Sequence, residues 1–95
     1  MPKFVIERDI PGAGAMNRDE LQAASTLSCS VLDELGPDIQ WVHSFVTQDK
    51  LYCIYIAQSE QLIRDHAERS GFPASRVSEV RAMIDPTMAN AAVAA

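Results

Sequence analysis

The sequence predicts an α+β domain, with a four-stranded antiparallel sheet and two helices on one face of it. Short stretches rich in branched and aromatic residues indicate strands, and two longer stretches with apolar residues every three or four positions indicate helices. Their order is strand, helix, strand, strand, helix, strand. This order is the split βαβ, or ferredoxin-like, arrangement, in which right-handed crossovers place the first and third strands at the centre of the sheet.

The first strand and the first helix are delimited by turn and cap residues. Residues 4–9 form an apolar run that becomes polar, and Pro11 and Gly12 interrupt it. Asn17 with Glu20 three residues later has the form of a capping box. Six residues then form one stripe of a helix that ends at Gly36: Leu21, Ala24, Ser28, Val31, Leu32 and Leu35.

The second half of the chain predicts a hairpin, a helix and a last strand. Residues 39–46 and 50–56 flank a polar turn, and Ser59 caps a helix that ends at Gly71. One face of this helix carries Leu62, Ile63, His66 and Ala67. Residues 77–84 predict the last strand. The ferredoxin-like domain is thus expected over residues 1–86, followed by a flexible alanine-rich tail over residues 87–95.

Length, charge and cysteine content exclude several classes of protein. Ninety-five residues form one domain, and in so small a chain a second copy that covers one face would add stability, so we expect a homodimer. The net charge is −5 with the two signs interleaved, which argues against a nucleic-acid partner. The sequence has no apolar run of membrane-spanning or signal-peptide length, and two cysteines do not make a disulfide framework. A cytoplasmic protein without a membrane partner is expected.

The alternation of strand residues divides the sheet into two faces. An apolar set is expected beneath the helices: Phe4, Ile6, Val42, Tyr52, Ile54, Ile56, Val80, Ala82 and Ile84. A mixed set is expected on the open face: Glu7, Asp9, Trp41, His43, Phe45, Cys53, Tyr55, Glu79 and Arg81. Aromatic and titratable groups on one face are typical of a ligand site or a subunit interface.

This division depends on the register of the hairpin. It requires His43 to lie opposite Cys53, which corresponds to a three-residue loop over residues 47–49. A two-residue turn at residues 48–49 would place His43 opposite Ile54 instead. The three-residue loop is preferred because a slip by one residue would exchange the aliphatic Ile54 and Ile56 with Cys53 and Tyr55.

Three segments carry a resemblance to a known family: "ERDIPG" at 7–12, "WVHSFVTQDKLYCIYIA" at 41–57 and "HAERSGFPASRVSEVRAMIDPT" at 66–87. The third is the most specific. Together they resemble a family of small bacterial proteins known as a domain of unknown function, in which a characterised member is a nickel-binding protein of ferredoxin-like fold that forms dimers. The resemblance implies the fold, a homodimer and nickel as the bound metal.

Nickel(II) accepts imidazole nitrogen, thiolate sulfur and carboxylate oxygen. The expected metal ligands are His43, His66, Glu7, Glu79 and Cys53. No Cys-x-x-Cys or His-x-x-x-His spacing occurs, so such a site has to be assembled across strands or between subunits. Each residue also has a structural alternative: a hydrogen-bonded histidine, an inert core thiol, or a carboxylate paired with Arg81.

Three functions from different classes follow from these patterns. The first is a non-enzymatic, nickel-binding homodimer. The second is a cofactor-free oxygenase or isomerase of the dimeric α+β barrel type, which uses the cleft between the sheet and the helices or the open sheet face. In it, His43 would be the general base, and Tyr55 and Arg81 would bind an anionic substrate. An apolar cavity near His43 would favour it. The third is an interaction module that contacts another protein through its acidic surface.

Overall fold

A computed structural model describes residues 1–90 and has the predicted order of elements. The elements are β1 Lys3–Asp9, α1 Arg18–Leu35, β2 Ile39–Val46, β3 Lys50–Ala57, α2 Glu60–Ser70 and β4 Arg76–Glu79. The four strands form an antiparallel sheet in the order β2-β3-β1-β4. This confirms the α+β, ferredoxin-like prediction, with the first and third strands at the centre.

The ends of the two helices are built as their sequences predict. At the start of α1, the Asn17 side chain accepts a hydrogen bond from the Glu20 amide at 2.8 Å, and Glu20 accepts one from the Asn17 amide at 3.2 Å. Ser59 accepts from the Leu62 amide at 3.4 Å at the start of α2. Gly71 ends α2 with a φ of 80°, a conformation that only glycine adopts without strain.

The hydrophobic core lies between the sheet and the two helices. Its buried members are Phe4, Ile6, Ile39, Cys53, Tyr55, Ala57 and Ile63. Burial of side chains of this size stabilises the fold by about 1.5–3 kcal/mol for each large apolar residue. The core therefore draws on all three longer strands and on α2.

The hairpin between β2 and β3 differs from the predicted register. Thr47 donates a backbone hydrogen bond to the Lys50 carbonyl at 2.8 Å, which leaves a two-residue connection. His43 lies opposite Ile54, and Val42 has no partner because a bulge shifts the register between Trp41 and His43. The predicted pairing of His43 with Cys53 is wrong, and the alternative two-residue turn is the observed one.

The bulge and the shorter turn change which residues share a face. Trp41, Cys53 and Tyr55 lie on the helix side of the sheet, where they contribute to or pack against the core. Tyr52, Ile54 and Ile56 alternate with them along β3 and belong to the open face. The prediction was correct for these members of the two sets: Phe4, Ile6, Glu7, Asp9, His43 and Phe45.

The last strand is shorter than predicted. β4 ends at Glu79, and only the Val80 amide continues the ladder, with a hydrogen bond of 2.8 Å to the Lys3 carbonyl. Ala82 and Ile84 therefore do not cover the core, and Ile84 is 76% exposed. Residues 86–90 form a 3-10 turn, and residues 91–95 of the predicted tail lie outside the described residues. Within the described part of the chain, neither helix is long and apolar enough to cross a bilayer.

Candidate functional site

The five residues predicted as metal ligands lie on different sides of the fold. His43 and Glu7 are on the open face, whereas His66 and Cys53 are buried on the helix side, with exposed fractions of 0% and 3%. Glu79 ends the edge strand β4 opposite Phe4, which places it on the helix side, so its predicted position on the open face is wrong. Within residues 1–90, no three His, Cys, Asp or Glu side chains form a group that could hold a metal ion. One chain alone does not bring these residues together, and their role as ligands stays a prediction.

The acidic groups on the open face are already paired with cations. Glu7 lies 3.7 Å from the Lys50 amine and 3.9 Å from the Arg76 guanidinium, and Asp9 lies 3.6 Å from the same amine. The negative charge of Asp9 is the main cause that raises the pKa of Lys50. These are exposed pairs of small energetic value. Their effect is that the carboxylates of this face are neutralised locally.

His43 stands apart from these ion pairs on the edge strand β2. Its ring contacts Phe45 edge to face, with the ring centroids 5.1 Å apart. Both residues are exposed. His43 is therefore the imidazole of the open face that an incoming group can reach.

A cleft of about 410 Å³ lies on the other side of the sheet, between α1 and the segment that follows α2. Most of its wall is apolar, formed by Ile10, Met16, Leu21, Val46, Leu51 and Phe72. Arg8, Ser28 and Tyr55 are polar members of the lining, and His43 does not line it. The cleft is therefore not the cavity near His43 that would favour the enzyme hypothesis. Its size and composition are nevertheless typical of small-molecule sites.

Arg8 places a positive charge in the wall of this cleft. It is 2% exposed, and its Nη1 atom donates a hydrogen bond of 2.9 Å to the Pro73 carbonyl. Its Nη2 atom is buried without a hydrogen-bond partner. The guanidinium carbon lies 5.9 Å from the ring centroids of Tyr55 and of Phe72. None of the ion pairs found in the described part of the chain includes Arg8.

A chain of neutral polar groups lies beside Arg8. The Ser28 hydroxyl oxygen is 3.0 Å from His66 Nε2 and 3.4 Å from the Tyr55 hydroxyl oxygen. Burial, and then the charge of Arg8, lower the pKa of His66 to about 4. Burial also raises the pKa of Tyr55. At neutral pH both side chains are uncharged, so Arg8 supplies the positive charge of this cluster.

The sequence interpretation missed Arg8 and Ser28 as site residues. Arg8 lies between Glu7 and Asp9 in the polar end of the first strand, where no motif marks it. Period-two alternation nevertheless places Arg8 on the face of Phe4 and Ile6, a signal that an arginine would be buried. Tyr55 was expected to act with Arg81, but the guanidinium near its ring belongs to Arg8.

The fold and these two surfaces define a small ferredoxin-like α+β protein, with an uncovered sheet face on one side and a basic, largely apolar cleft on the other. The chain belongs to the family of SCO4226-like nickel-responsive proteins, whose sequence model matches residues 4–80. This confirms the resemblance to a small bacterial nickel-related family.

Comparison with solved structures confirms the fold. The chain is similar to the crystal structure of SCO4226 from Streptomyces coelicolor A3(2), with a TM-score of 0.73 and 18% sequence identity. The match covers 86% of this chain and 99% of that one. No protein with a curated functional description matches the chain.

Proposed function

We propose that the chain is a cytoplasmic, non-enzymatic nickel-binding protein that acts as a homodimer, with nickel bound between the two copies at the open sheet face. Membership of a nickel-responsive family supports the metal. The observation that carries the proposal is the position of His43, an exposed imidazole on the open sheet face, in a chain whose described residues form no metal-binding group by themselves. The two free cysteines fit a reducing compartment.

The open face has the composition of a subunit interface. Phe45 is 59% exposed, while Val5, Ile54 and Ile56 are only half-buried by their neighbours in the sheet. An exposed apolar surface of this kind usually marks a contact with another molecule. Because a two-fold interface places the same patch on both sides, a second copy supplies a matching apolar surface.

The segment after β4 supports a partner that is a second copy. Met83 and Ile84 are 75% and 76% exposed, and Met88 is 56% exposed. These apolar side chains lie beyond the edge of the sheet and do not pack on the core of the same chain. An arm of this composition gains by packing on a neighbouring subunit, which would extend the interface beyond the sheet.

A two-fold dimer would supply the ligands that one chain lacks. Nickel(II) takes imidazole nitrogen readily, and two copies contribute two His43 side chains on facing surfaces. Glu7 is the predicted carboxylate ligand on the same face, where it would have to exchange its contacts with Lys50 and Arg76 for the metal. His66, Cys53 and Glu79 remain predicted ligands that the same experiment tests.

The test is a nickel titration of the protein without a histidine tag, followed by calorimetry and by sedimentation equilibrium. We expect stoichiometric binding by a dimer, loss of binding in His43→Ala, and a monomer that binds no nickel in Phe45→Asp. Gln22→Ala, on an exposed part of α1, is the matched control and should behave as the parent protein. Alanine variants of Glu7, Glu79 and His66 and a serine variant of Cys53 complete the set.

Two results would contradict the proposal. One is a parent protein that binds no nickel in the calorimeter. The other is a monomeric protein in which nickel binding is unchanged by His43→Ala. Loss of binding in Cys53→Ser or His66→Ala with His43→Ala unaffected would move the metal to the helix side of the sheet.

A further inference from the structure

We propose that the cleft beneath the helices binds an organic monoanion, whose carboxylate pairs with Arg8 and whose apolar body fills the rest of the cleft. The site is separate from the open face and does not depend on nickel. It takes a small carboxylic acid with a hydrophobic chain or ring.

The first argument is the unpaired charge of Arg8. An arginine side chain stays protonated in proteins, and burial of a charge is strongly unfavourable unless an opposite charge or full hydrogen bonding compensates. Arg8 is 2% exposed, yet its partners are one carbonyl oxygen and two aromatic rings, and Nη2 has none. A carboxylate bound beside Arg8 would supply the missing charge, since the guanidinium fork matches carboxylate geometry.

The second argument is that the neighbouring polar groups do not compete for this role. The Ser28 hydroxyl is engaged with His66 and Tyr55, and the Ser44 hydroxyl accepts a hydrogen bond of 2.9 Å from the Trp41 indole. Ser25 donates to the Leu21 carbonyl at 2.9 Å. The lining thus offers one positive charge, with its hydroxyls already bonded within the chain. One negative charge on the ligand matches it.

The third argument is the size and character of the walls. Pockets for small organic molecules have volumes of about 300–1,000 Å³ and mostly apolar linings, and the cleft measures about 410 Å³. Its apolar side chains come from α1, from the sheet and from the segment after α2. An inorganic anion would leave these walls unfilled, whereas a fatty or aromatic acid would contact them and place its charged end at Arg8.

The cleft is open at the surface of the fold. Val46, which is 43% exposed, and the exposed Gly71 both line it. A ligand can therefore enter beside the end of α2. The apolar body would lie toward this opening, and the carboxylate toward the buried Arg8.

The chain contains a built-in reporter for the test. Trp41 is its single tryptophan and lines the cleft. We would titrate the full chain with decanoate, with decanol as the neutral probe of equal length and with acetate as the anion without an apolar body. Tryptophan emission and calorimetry would follow binding. We expect saturable binding of decanoate, at least tenfold tighter than that of decanol or acetate.

The variants separate the charge from the shape of the cleft. Arg8→Met should weaken decanoate binding at least tenfold and leave decanol binding unchanged, and Arg8→Lys should retain part of the preference for decanoate. Arg76→Met, which removes an exposed arginine from β4, is the matched control and should bind as the parent does.

Circular dichroism checks that each variant is folded. If Arg8→Met does not fold, the comparison of decanoate with decanol on the parent protein decides. Equal affinity for the two probes, no saturable signal with decanoate, or an equal loss in Arg76→Met would overturn the proposal.

Discussion

Burial of His66 predicts that the protein loses stability in mild acid. Its pKa is lowered to about 4 in the folded protein from an ordinary value of 6.5, because the side chain is buried and Arg8 lies near. Below pH 6.5, His66 binds a proton in the unfolded chain but not in the folded chain. The free energy of unfolding therefore falls as the pH drops toward 4. The difference between the two pKa values corresponds to about 3 kcal/mol in the free energy of unfolding, of which about 2 kcal/mol is lost between pH 7 and pH 4.5.

The assay is urea unfolding of the parent protein and of His66→Gln at several pH values from 7.5 to 4.5. Glutamine keeps a polar group near Ser28 but does not titrate in this range. The parent should be the more stable at pH 7, and its advantage should shrink by about 2 kcal/mol by pH 4.5. His43→Gln, which removes the exposed imidazole, should keep the acid sensitivity. A difference between parent and His66→Gln that is constant with pH would refute the reasoning.

Three further predictions concern folding stability, each measured by urea unfolding at pH 7. In Gly14→Ala the new methyl group would meet the Gln48 backbone at 2.9 Å, so we expect a loss of about 1–3 kcal/mol. Asn17→Ala removes the cap that binds the Glu20 amide and should lose about 1 kcal/mol, and no loss would mean that the capping box does not form. Ile6→Ala empties a fully buried position and should lose about 2–5 kcal/mol, more than any exposed alanine substitution on β2.

The helices and the order of the strands were predictable because their signals are local. Asn17, Ser59 and Gly71 determine where helices begin and end through bonds to backbone groups within three or four residues. The strand order then follows from the handedness of the two crossovers, which holds for nearly all such folds. Neither inference needs to know what each face of the sheet contacts.

The faces of the hairpin were not predictable because both sides of β3 are apolar. A one-residue slip is normally excluded by the contrast between a buried face and a polar face. Here the helix side carries Cys53 and Tyr55, and the open side carries Ile54 and Ile56, so an assumption that the more aliphatic set is buried selects the wrong register. The bulge at Val42 adds a second shift in the register of β2 and β3, which no turn residue in the sequence predicts.

This lack of contrast is itself informative about the molecule. A sheet that is covered on one side only usually shows polar residues on the other, whereas near-continuous apolar strands are typical of sheets buried on both sides. Ile54 and Ile56 on an open face favour a second cover, which the proposed dimer would supply. On the helix side, the apolar side chains leave a cleft of about 410 Å³ unfilled, and Arg8 and Tyr55 line it. Within β3, the more aliphatic pair Ile54 and Ile56 lies on the open face and the pair Cys53 and Tyr55 on the helix side, which is the reverse of the assignment that hydrophobicity alone favours.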